Sequence, residues 1–238
     1  MDTLHELMAA RMPTARRPLL GMTVLAIEDS RYASEALRLL CLRSGARIRR
    51  ADSLEHARRH LAVYRPTVLM VDVGLPDGSG LELIESVARA TPRIDVILGI
   101  SGDSNMRDAV MAAGADGFLD KPISSLGAFQ SAILEHLPQD RQPPGPRILN
   151  DEEVNPDLIA YHDDLTHVAH VLRGQEDDTS IDYVTQFLGG VARSARDDEL
   201  DRAVRELIRQ RNTGSSLRSG VAALSRIVET RIAAGGPL

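Results

Sequence analysis

Hydrophobic positions in the first 140 residues alternate between short continuous apolar runs and segments with helical spacing. The apolar runs predict strands at Met22–Ile27, Ala46–Ala51, Val68–Val73, Asp95–Ile100 and Gly117–Leu119. The segments between and after them predict helices at Arg31–Ser44, Ser53–Tyr64, Ser79–Ala90, Asn105–Ala113 and Ser124–Leu137. Parallel neighbours need crossover helices, so this alternation predicts an α/β doubly wound fold: a five-stranded parallel sheet covered on both faces.

The pattern changes after the last of these helices. Four prolines fall within nine residues, at Pro138, Pro143, Pro144 and Pro146. Proline cannot continue a helix, so this stretch predicts a semi-extended connector between two separate units. The predicted organisation is an N-terminal extension over residues 1–20, an α/β domain over 21–137, a proline-rich linker over 138–154 and a helical domain over 155–238.

Helical spacing returns in the C-terminal region and predicts an all-α domain of four helices. Asn155 is the predicted N-cap of the first helix, with Pro156 in its first turn and Leu158, Leu165, Val168 and Leu172 on one face. The second helix is expected after the caps Thr179 and Ser180, the third from about Asp198 to Gln210, and the fourth after a turn at Thr213–Ser216. Short connections favour an antiparallel bundle, or paired hairpins that complete their core by dimerising.

Composition excludes several classes of protein. No apolar run approaches the roughly 20 residues that cross a bilayer, so no membrane span is expected. Residues 1–20 contain three arginines and two prolines but no continuous apolar stretch, which is unlike a secretory signal. We therefore expect a cytoplasmic protein with a loosely ordered extension. The single cysteine, Cys41, permits no internal disulfide and is expected to be a buried structural thiol.

Charge and aromatic content argue against nucleic-acid binding. The net charge is −6, and residues 147–238 hold 11 arginines against 16 acids, which gives about −5 for that region alone. This sign opposes binding to a phosphate backbone. Aromatic residues make up 3% of the chain and tryptophan is absent, so platforms for stacking bases are scarce.

Charged and polar side chains follow the predicted strands at their carboxyl ends, where open α/β sheets gather functional groups. These residues are Glu28, Asp29, Asp72, Ser101 and Lys121. Three carboxylates at one sheet edge are costly unless a cation offsets their charge, and oxygen ligands suit octahedral Mg²⁺. Carboxylates can also accept phosphoryl groups, with a metal ion and an ammonium neutralising the transferred charge.

These residues give the region 21–137 a resemblance to the flavodoxin-like receiver domain of two-component response regulators. The resemblance implies that Asp72 accepts the phosphoryl group and that Glu28, Asp29, Asp72 and the backbone carbonyl of Gly74 hold Mg²⁺. It further implies four supporting roles: Ser101 as the switch hydroxyl, Phe118 as the switch aromatic, Lys121 as the phosphate-pairing lysine, and Pro122 as part of a Lys-Pro turn with a cis bond.

The rarity of lysine in this chain supports this interpretation independently of the family resemblance. Lys121 is the single lysine of the chain, which otherwise uses arginine 27 times. The exception indicates that this strand end needs a compact ammonium group, whose role a planar guanidinium would not fill.

The helical region leaves alternatives open. Ala169–Gly174 resembles the Ala-His-x-Leu-Lys-Gly motif of histidine phosphotransfer domains, and His170 should face solvent. However, Arg173 replaces the lysine, and three acids follow where that family has small residues. A solvated surface histidine is therefore the preferred interpretation of His170. His162 and His167 are expected to be solvated or packed, because no carboxylates arranged as a metal site accompany them.

The sequence thus predicts a phosphorylation-dependent response regulator that is a Mg²⁺-dependent phosphoacceptor rather than an enzyme. Its phosphodonor would be a sensor histidine kinase or a phosphotransfer protein. We expect the helical domain to contact a downstream protein partner, or a second copy in a homodimer, when Asp72 is phosphorylated. The alternatives are a phosphorelay protein that uses His170 and, less favoured because acids surround the arginines of the third helix, a DNA-binding output.

Overall fold

The computed structural model describes residues 12–143, 152–174 and 178–235. The main strands are β1 (Thr23–Ile27), β2 (Arg47–Ala51), β3 (Val68–Asp72), β4 (Val96–Ser101) and β5 (Gly117–Asp120). The helices of the same region are α1 (Arg31–Ser44), α2 (Leu54–Val63), α3 (Gly80–Ala88), α4 (Arg107–Ala112) and α5 (Leu126–Leu134). The C-terminal helices are α6 (Leu158–Gly174), α7 (Asp178–Ser194), α8 (Asp198–Asn212) and α9 (Arg218–Ala234).

The five main strands form one parallel sheet in the order β2-β1-β3-β4-β5. Apolar side chains pack on both of its faces, one layer with α1 and α5 and the other with α2, α3 and α4. Strands β3 and β4 are buried along their whole length, as expected for central strands of a doubly wound sheet. The fold class predicted from the sequence is confirmed.

Serine caps explain where several helices begin. The side chains of Ser30, Ser53, Ser79 and Ser125 each accept a hydrogen bond from a backbone N–H in the first turn. The predicted starts of α2, α3 and α5 are therefore one or two residues early, because they include or precede the cap. The prediction also missed a short hairpin that pairs Gly74–Leu75 with Gly78–Ser79.

The helices α6 to α9 form a four-helix bundle in which each helix packs against two of the others. Their shared core consists of apolar residues at spacings of three and four, including Leu165, Val184, Leu188, Leu200 and Leu224. The predicted four-helix domain is confirmed.

Two predicted helix starts in this bundle are wrong. Helix α6 begins at Leu158 rather than just after Asn155, because the Asp157 carboxylate accepts the hydrogen bond from Ile159 N–H. Leu158 is exposed and does not join the apolar face. Helix α7 begins at Asp178, before the predicted caps at Thr179 and Ser180.

The two domains are packed together, whereas the sequence predicted separate units. Helix α6 lies along α1, and α7 also contacts α1 and the loop after β3. Tyr32 of α1 is buried in the core of the bundle, where its ring meets Tyr161 edge to face at 5.9 Å. From the linker, Val154 is buried in the core of the α/β domain, and residues 144–151 lie outside the described residues.

Candidate functional site

The parallel sheet brings the predicted site residues together at one edge. Glu28 and Asp29 directly follow β1, Asp72 ends β3, Ser101 ends β4 and Lys121 directly follows β5. Strands β1 and β4 both pair with β3, so their carboxyl ends flank that of β3. The carboxylates of Glu28, Asp29 and Asp72 each offer an oxygen within 4.8 Å of the others.

Lys121 lies among these acids and is itself nearly buried. Its Nζ donates to Asp72 Oδ2 at 2.7 Å and to Glu28 Oε1 at 2.9 Å. The side chains of Lys121 and Asp72 are each 8% exposed and that of Glu28 is 1% exposed, so solvent screens these charges weakly. The ammonium therefore balances part of the negative charge of the cluster.

Burial dominates the titration of the two carboxylates that follow β1. It raises the pKa of Glu28 to about 8, partly offset by Lys121. Burial, and then the charge of Asp72, raise the pKa of Asp29 to about 7. For Lys121, burial opposes the charged form, but Asp72 and Glu28 outweigh it and hold the lysine pKa above its usual value. The single ammonium of Lys121 therefore does not neutralise all three carboxylates of the cluster.

The donor set fits a small divalent cation. Glu28 Oε2 is buried and lies 2.7 Å from Lys121 Nζ, yet it accepts no hydrogen bond in the described part of the chain. A buried carboxylate oxygen without a hydrogen bond can act as a metal ligand, and all-oxygen donor sets suit Mg²⁺. The residues that would hold Mg²⁺ are Glu28, Asp29 and Asp72, while the carbonyl of Gly74 remains a predicted ligand.

The other predicted site residues lie close to this cluster. Ser101 is 3% exposed, and its hydroxyl accepts a hydrogen bond from Asp103 N–H at 3.1 Å. Phe118 is buried, and the guanidinium of Arg107 lies 4.9 Å from the centre of its ring. The Lys121–Pro122 peptide bond is cis, as the resemblance implied.

The helical domain reaches the same edge of the sheet through Asp164 and Tyr183. Asp164 accepts hydrogen bonds from the Ser30 hydroxyl at 2.7 Å and from the N–H groups of Arg31 and Tyr32. It therefore caps the first turn of α1 from another domain. Tyr183 of α7 donates a hydrogen bond to Asp29 Oδ2 at 3.0 Å, so α7 contacts a predicted metal ligand directly.

A cavity of about 800 Å³ lies between the sheet edge and the bundle. Asp72, Ser101 and Lys121 line it from the α/β domain, and Gln186 and Arg193 of α7 line it from the other side. Sequence reasoning missed the residues that the helical domain contributes, since nothing in the local pattern of α6 or α7 marks them. The partners of Asp164 and Tyr183, for example, lie more than 130 positions away in the chain.

The histidines of α6 do not belong to the acidic cluster. His170 is exposed, and His167 packs edge to face against Tyr183 and Phe187 at 6.4 and 5.8 Å between ring centroids. His162 is half-buried. Among the described residues, the acidic cluster after β1 and β3 is the one group with the geometry of a metal site, and none of these histidines belongs to it.

A scan against protein families gives the class of this domain. Residues 24–133 match the response regulator receiver domain. This segment is therefore a receiver domain, which confirms the resemblance drawn from the sequence, and the helical region remains without an assigned family.

Curated relatives match the same region of the chain. The chain is 29% identical over 110 residues to the KDP operon transcriptional regulatory protein KdpE of Escherichia coli, covering 46% of this chain and 48% of that protein. It is 29% identical over 117 residues to the virulence transcriptional regulatory protein PhoP of Salmonella typhimurium, covering 48% of this chain and 52% of PhoP. The chain thus spans about half the length of these relatives.

Among solved structures, a putative response regulator from Chloroflexus aurantiacus is 30% identical to this chain, with a TM-score of 0.44. The match covers 48% of this chain and 98% of the other.

None of the helices in the described part of this protein is both long and apolar enough to cross a bilayer.

Proposed function

We propose that the chain is a phosphorylation-dependent regulator in which Asp72 accepts a phosphoryl group from a sensor histidine kinase or a phosphotransfer protein. The observation that carries the proposal is the cluster of three carboxylates within 4.8 Å, with the Lys121 ammonium 2.7 Å from Asp72. Asp72 supplies the nucleophilic oxygen, and Lys121 neutralises charge on the transferred group. When bound, Mg²⁺ would supply further charge neutralisation and alignment of the phosphoryl oxygens.

The output is proposed to be a change in the packing between the two domains. The phosphoryl group carries roughly 1.5 to 2 negative charges and takes the place of the single negative charge of the Asp72 carboxylate. This charge would enter the cavity that α7 covers, close to the Tyr183–Asp29 hydrogen bond. A new charge there changes the relative stability of docked and undocked arrangements, and thereby exposes or covers bundle surface for a protein partner or a second copy.

A labelling experiment tests the phosphoacceptor. The full chain is incubated with Mg²⁺ and radiolabelled acetyl phosphate, and incorporation is compared with that of Asp72→Ala. We expect wild type to gain acid-stable, base-labile label that the variant lacks, because acyl phosphates have that stability. Equal labelling of both proteins, or none in either, would reject Asp72 as the acceptor.

The same labelling experiment tests the alternative that the chain is a phosphorelay protein that uses His170. His170 is exposed, as a phosphorylated histidine must be, but exposure alone does not distinguish it from an ordinary surface residue. A phosphoryl label on His170 would be acid-labile and base-stable, and the substitution His170→Gln would remove it. Sedimentation of phosphorylated and unphosphorylated protein then tests whether the output includes dimerisation.

A further inference from the structure

Two side chains of α7 lie against the glycines that flank the phosphoacceptor. Gly74 follows Asp72 by two residues, and Gly102 directly follows Ser101. A Cβ atom on Gly74 would overlap the Gln186 carboxamide, and one on Gly102 would overlap the Arg193 guanidinium. Neither glycine has a positive φ. The ends of the Gln186 and Arg193 side chains therefore occupy the space beside these two glycines, and a side chain at either position would have to displace them.

The spacing along α7 places both side chains over the site. Gln186 and Arg193 are seven positions apart, which brings them to within about 20° of each other around a helix and about 10 Å apart along its axis. This face of α7 therefore spans the acceptor from the loop after β3 to the loop after β4. Asp72, Ser101 and Lys121 line the same cavity as the two side chains.

The guanidinium of Arg193 has unused capacity to donate hydrogen bonds. Its Nη1 contacts Asp201 Oδ1 at 3.4 Å, which is long for a charge-assisted hydrogen bond. Its Nε is buried and has no hydrogen-bond partner within the described part of the chain. A buried donor without a partner is costly, whereas a phosphoryl group on Asp72 would bring new acceptor oxygens into this cavity.

Gln186 is suited to binding water beside that group. Its carboxamide can donate and accept hydrogen bonds at once, and the side chain is exposed although it contacts Gly74. Gln186 is therefore in contact both with solvent and with the loop that follows the acceptor. Apolar side chains at these two positions would exclude water and protect a phosphoryl group, but the α7 side chains that lie against Gly74 and Gly102 are an amide and a guanidinium.

We propose that Gln186 and Arg193 make the helical domain an intramolecular phosphatase for the aspartyl phosphate of Asp72, an inference that rests on the proposed phosphoacceptor. A water molecule held by Gln186 attacks the phosphorus, and a new O–P bond forms as the bond from phosphorus to the Asp72 oxygen breaks. The electron pair of the broken bond returns to the Asp72 carboxylate, and both protons of the water leave with the inorganic phosphate. Arg193 stabilises the charge on the transferring group, as an arginine supplied in cis does in other phosphoryl transfers.

The test follows the loss of label from the full chain. Wild type, Gln186→Ala, Arg193→Ala and Arg193→Lys are labelled with acetyl phosphate and Mg²⁺, freed of the donor and sampled for remaining aspartyl phosphate and released inorganic phosphate. We expect each alanine variant to prolong the half-life of the phosphoryl group by about tenfold or more, and Arg193→Lys to restore only part of the rate. Unchanged or shorter half-lives would overturn the proposal.

Matched controls separate chemistry from folding. Arg209→Ala and Gln139→Ala remove the same residue types from exposed positions outside the cavity, and both should keep the wild-type half-life. Millimolar ethylguanidinium should accelerate hydrolysis in Arg193→Ala but not in wild type, an effect that a purely structural role would not produce. Lack of rescue overturns the role of Arg193.

Failure of this proposal is distinguishable from failure of the proposed function. Label that forms on Asp72 and decays equally fast in all the variants overturns the phosphatase alone. Wild type that takes no label at Asp72 overturns the phosphoacceptor, and the phosphatase with it.

Discussion

The hydroxyl of Tyr183, in the helical bundle, donates a hydrogen bond of 3.0 Å to the carboxylate of Asp29 in the receiver domain. Burial and the neighbouring Asp29 charge raise the pKa of Tyr183 above its usual value, so the phenol keeps its proton. The hydrogen bond therefore links the bundle to one of the residues that would hold Mg²⁺.

Replacing Tyr183 with phenylalanine should remove this link with little change in shape. A hydrogen bond to a charged group contributes about 1.5 to 3 kcal/mol, and at a pH above the Asp29 pKa of about 7 we expect Tyr183→Phe to lower the free energy of unfolding by about 1 to 2 kcal/mol without Mg²⁺. Urea denaturation measures the change. Tyr64→Phe is the control, because the buried Tyr64 hydroxyl has no hydrogen-bond partner among the described residues and its loss should not destabilise the protein. Equal effects of the two substitutions would contradict the role of Tyr183.

The bundle contains a buried ion pair that is expected to be important for its stability. Arg231 Nε donates to Asp197 Oδ2 at 2.7 Å, Tyr161 donates to the same oxygen at 2.8 Å, and both charged side chains are 2% exposed. Burial disfavours the Asp197 carboxylate, but its hydrogen bonds from Arg231, Leu200 N–H and Tyr161 hold its pKa below the usual value.

Arg231→Met should leave that carboxylate buried without its cation and cost about 3 kcal/mol of unfolding free energy. Arg226→Met changes an exposed arginine of the same helix and should stay within about 0.5 kcal/mol of wild type. Denaturation curves for the two variants provide the measurement. The depressed pKa of Asp197 gives stability that is present above its ordinary value of 3.8 and is lost as the pH falls through the folded-state pKa. A mild effect of Arg231→Met, similar to that of Arg226→Met, would contradict this account.

Much of the fold followed from local sequence, and the limits of prediction have physical causes. Helix α1 has the bounds that its helical spacing predicted, and in the structure Ser30 caps its first turn and Gly45, with φ of 86°, ends it. The acidic cluster and Lys121 were predictable because parallel strands bring their carboxyl ends to one edge. Gln186 and Arg193 could not be found this way, because their role depends on a docking contact between distant segments, and hydrophobic periodicity reports only which face of α7 is buried.

Cys41 gives a prediction about pH. Burial raises the pKa of its thiol from 9.0 to about 12, so the folded protein disfavours the reactive thiolate. We expect no reaction with a thiol-specific chromogenic disulfide at pH 8 in native protein and full reaction in denaturant. Because the folded pKa is raised, the contribution of Cys41 to stability is present below about pH 9 and is lost as the pH rises towards 12. Cys41→Ala should flatten that loss, and rapid labelling of the native protein would show that the thiol is not buried in solution.

Asp164 provides the sharpest test of the docked arrangement. Its carboxylate accepts hydrogen bonds from Ser30 Oγ at 2.7 Å, Arg31 N–H at 2.8 Å and Tyr32 N–H at 3.0 Å, and no other described residue caps α1 from the bundle. Asp164→Ala leaves these donors without their partner at a buried boundary, so we expect α6 and α7 to separate from the receiver domain.

The neighbouring Asp163 is the matched control. It pairs with Arg31 at the surface, where its side chain is 39% exposed, and Asp163→Ala should leave docking intact. Hydrogen exchange measures the outcome: α1 and the face of α7 near Gly74 should gain exchange in Asp164→Ala alone. A phosphorylated histidine on a protein donor needs more room than acetyl phosphate, so the same variant should accept label faster from the protein donor than wild type does. Faster labelling by acetyl phosphate to the same degree would show that the bundle does not restrict access by size.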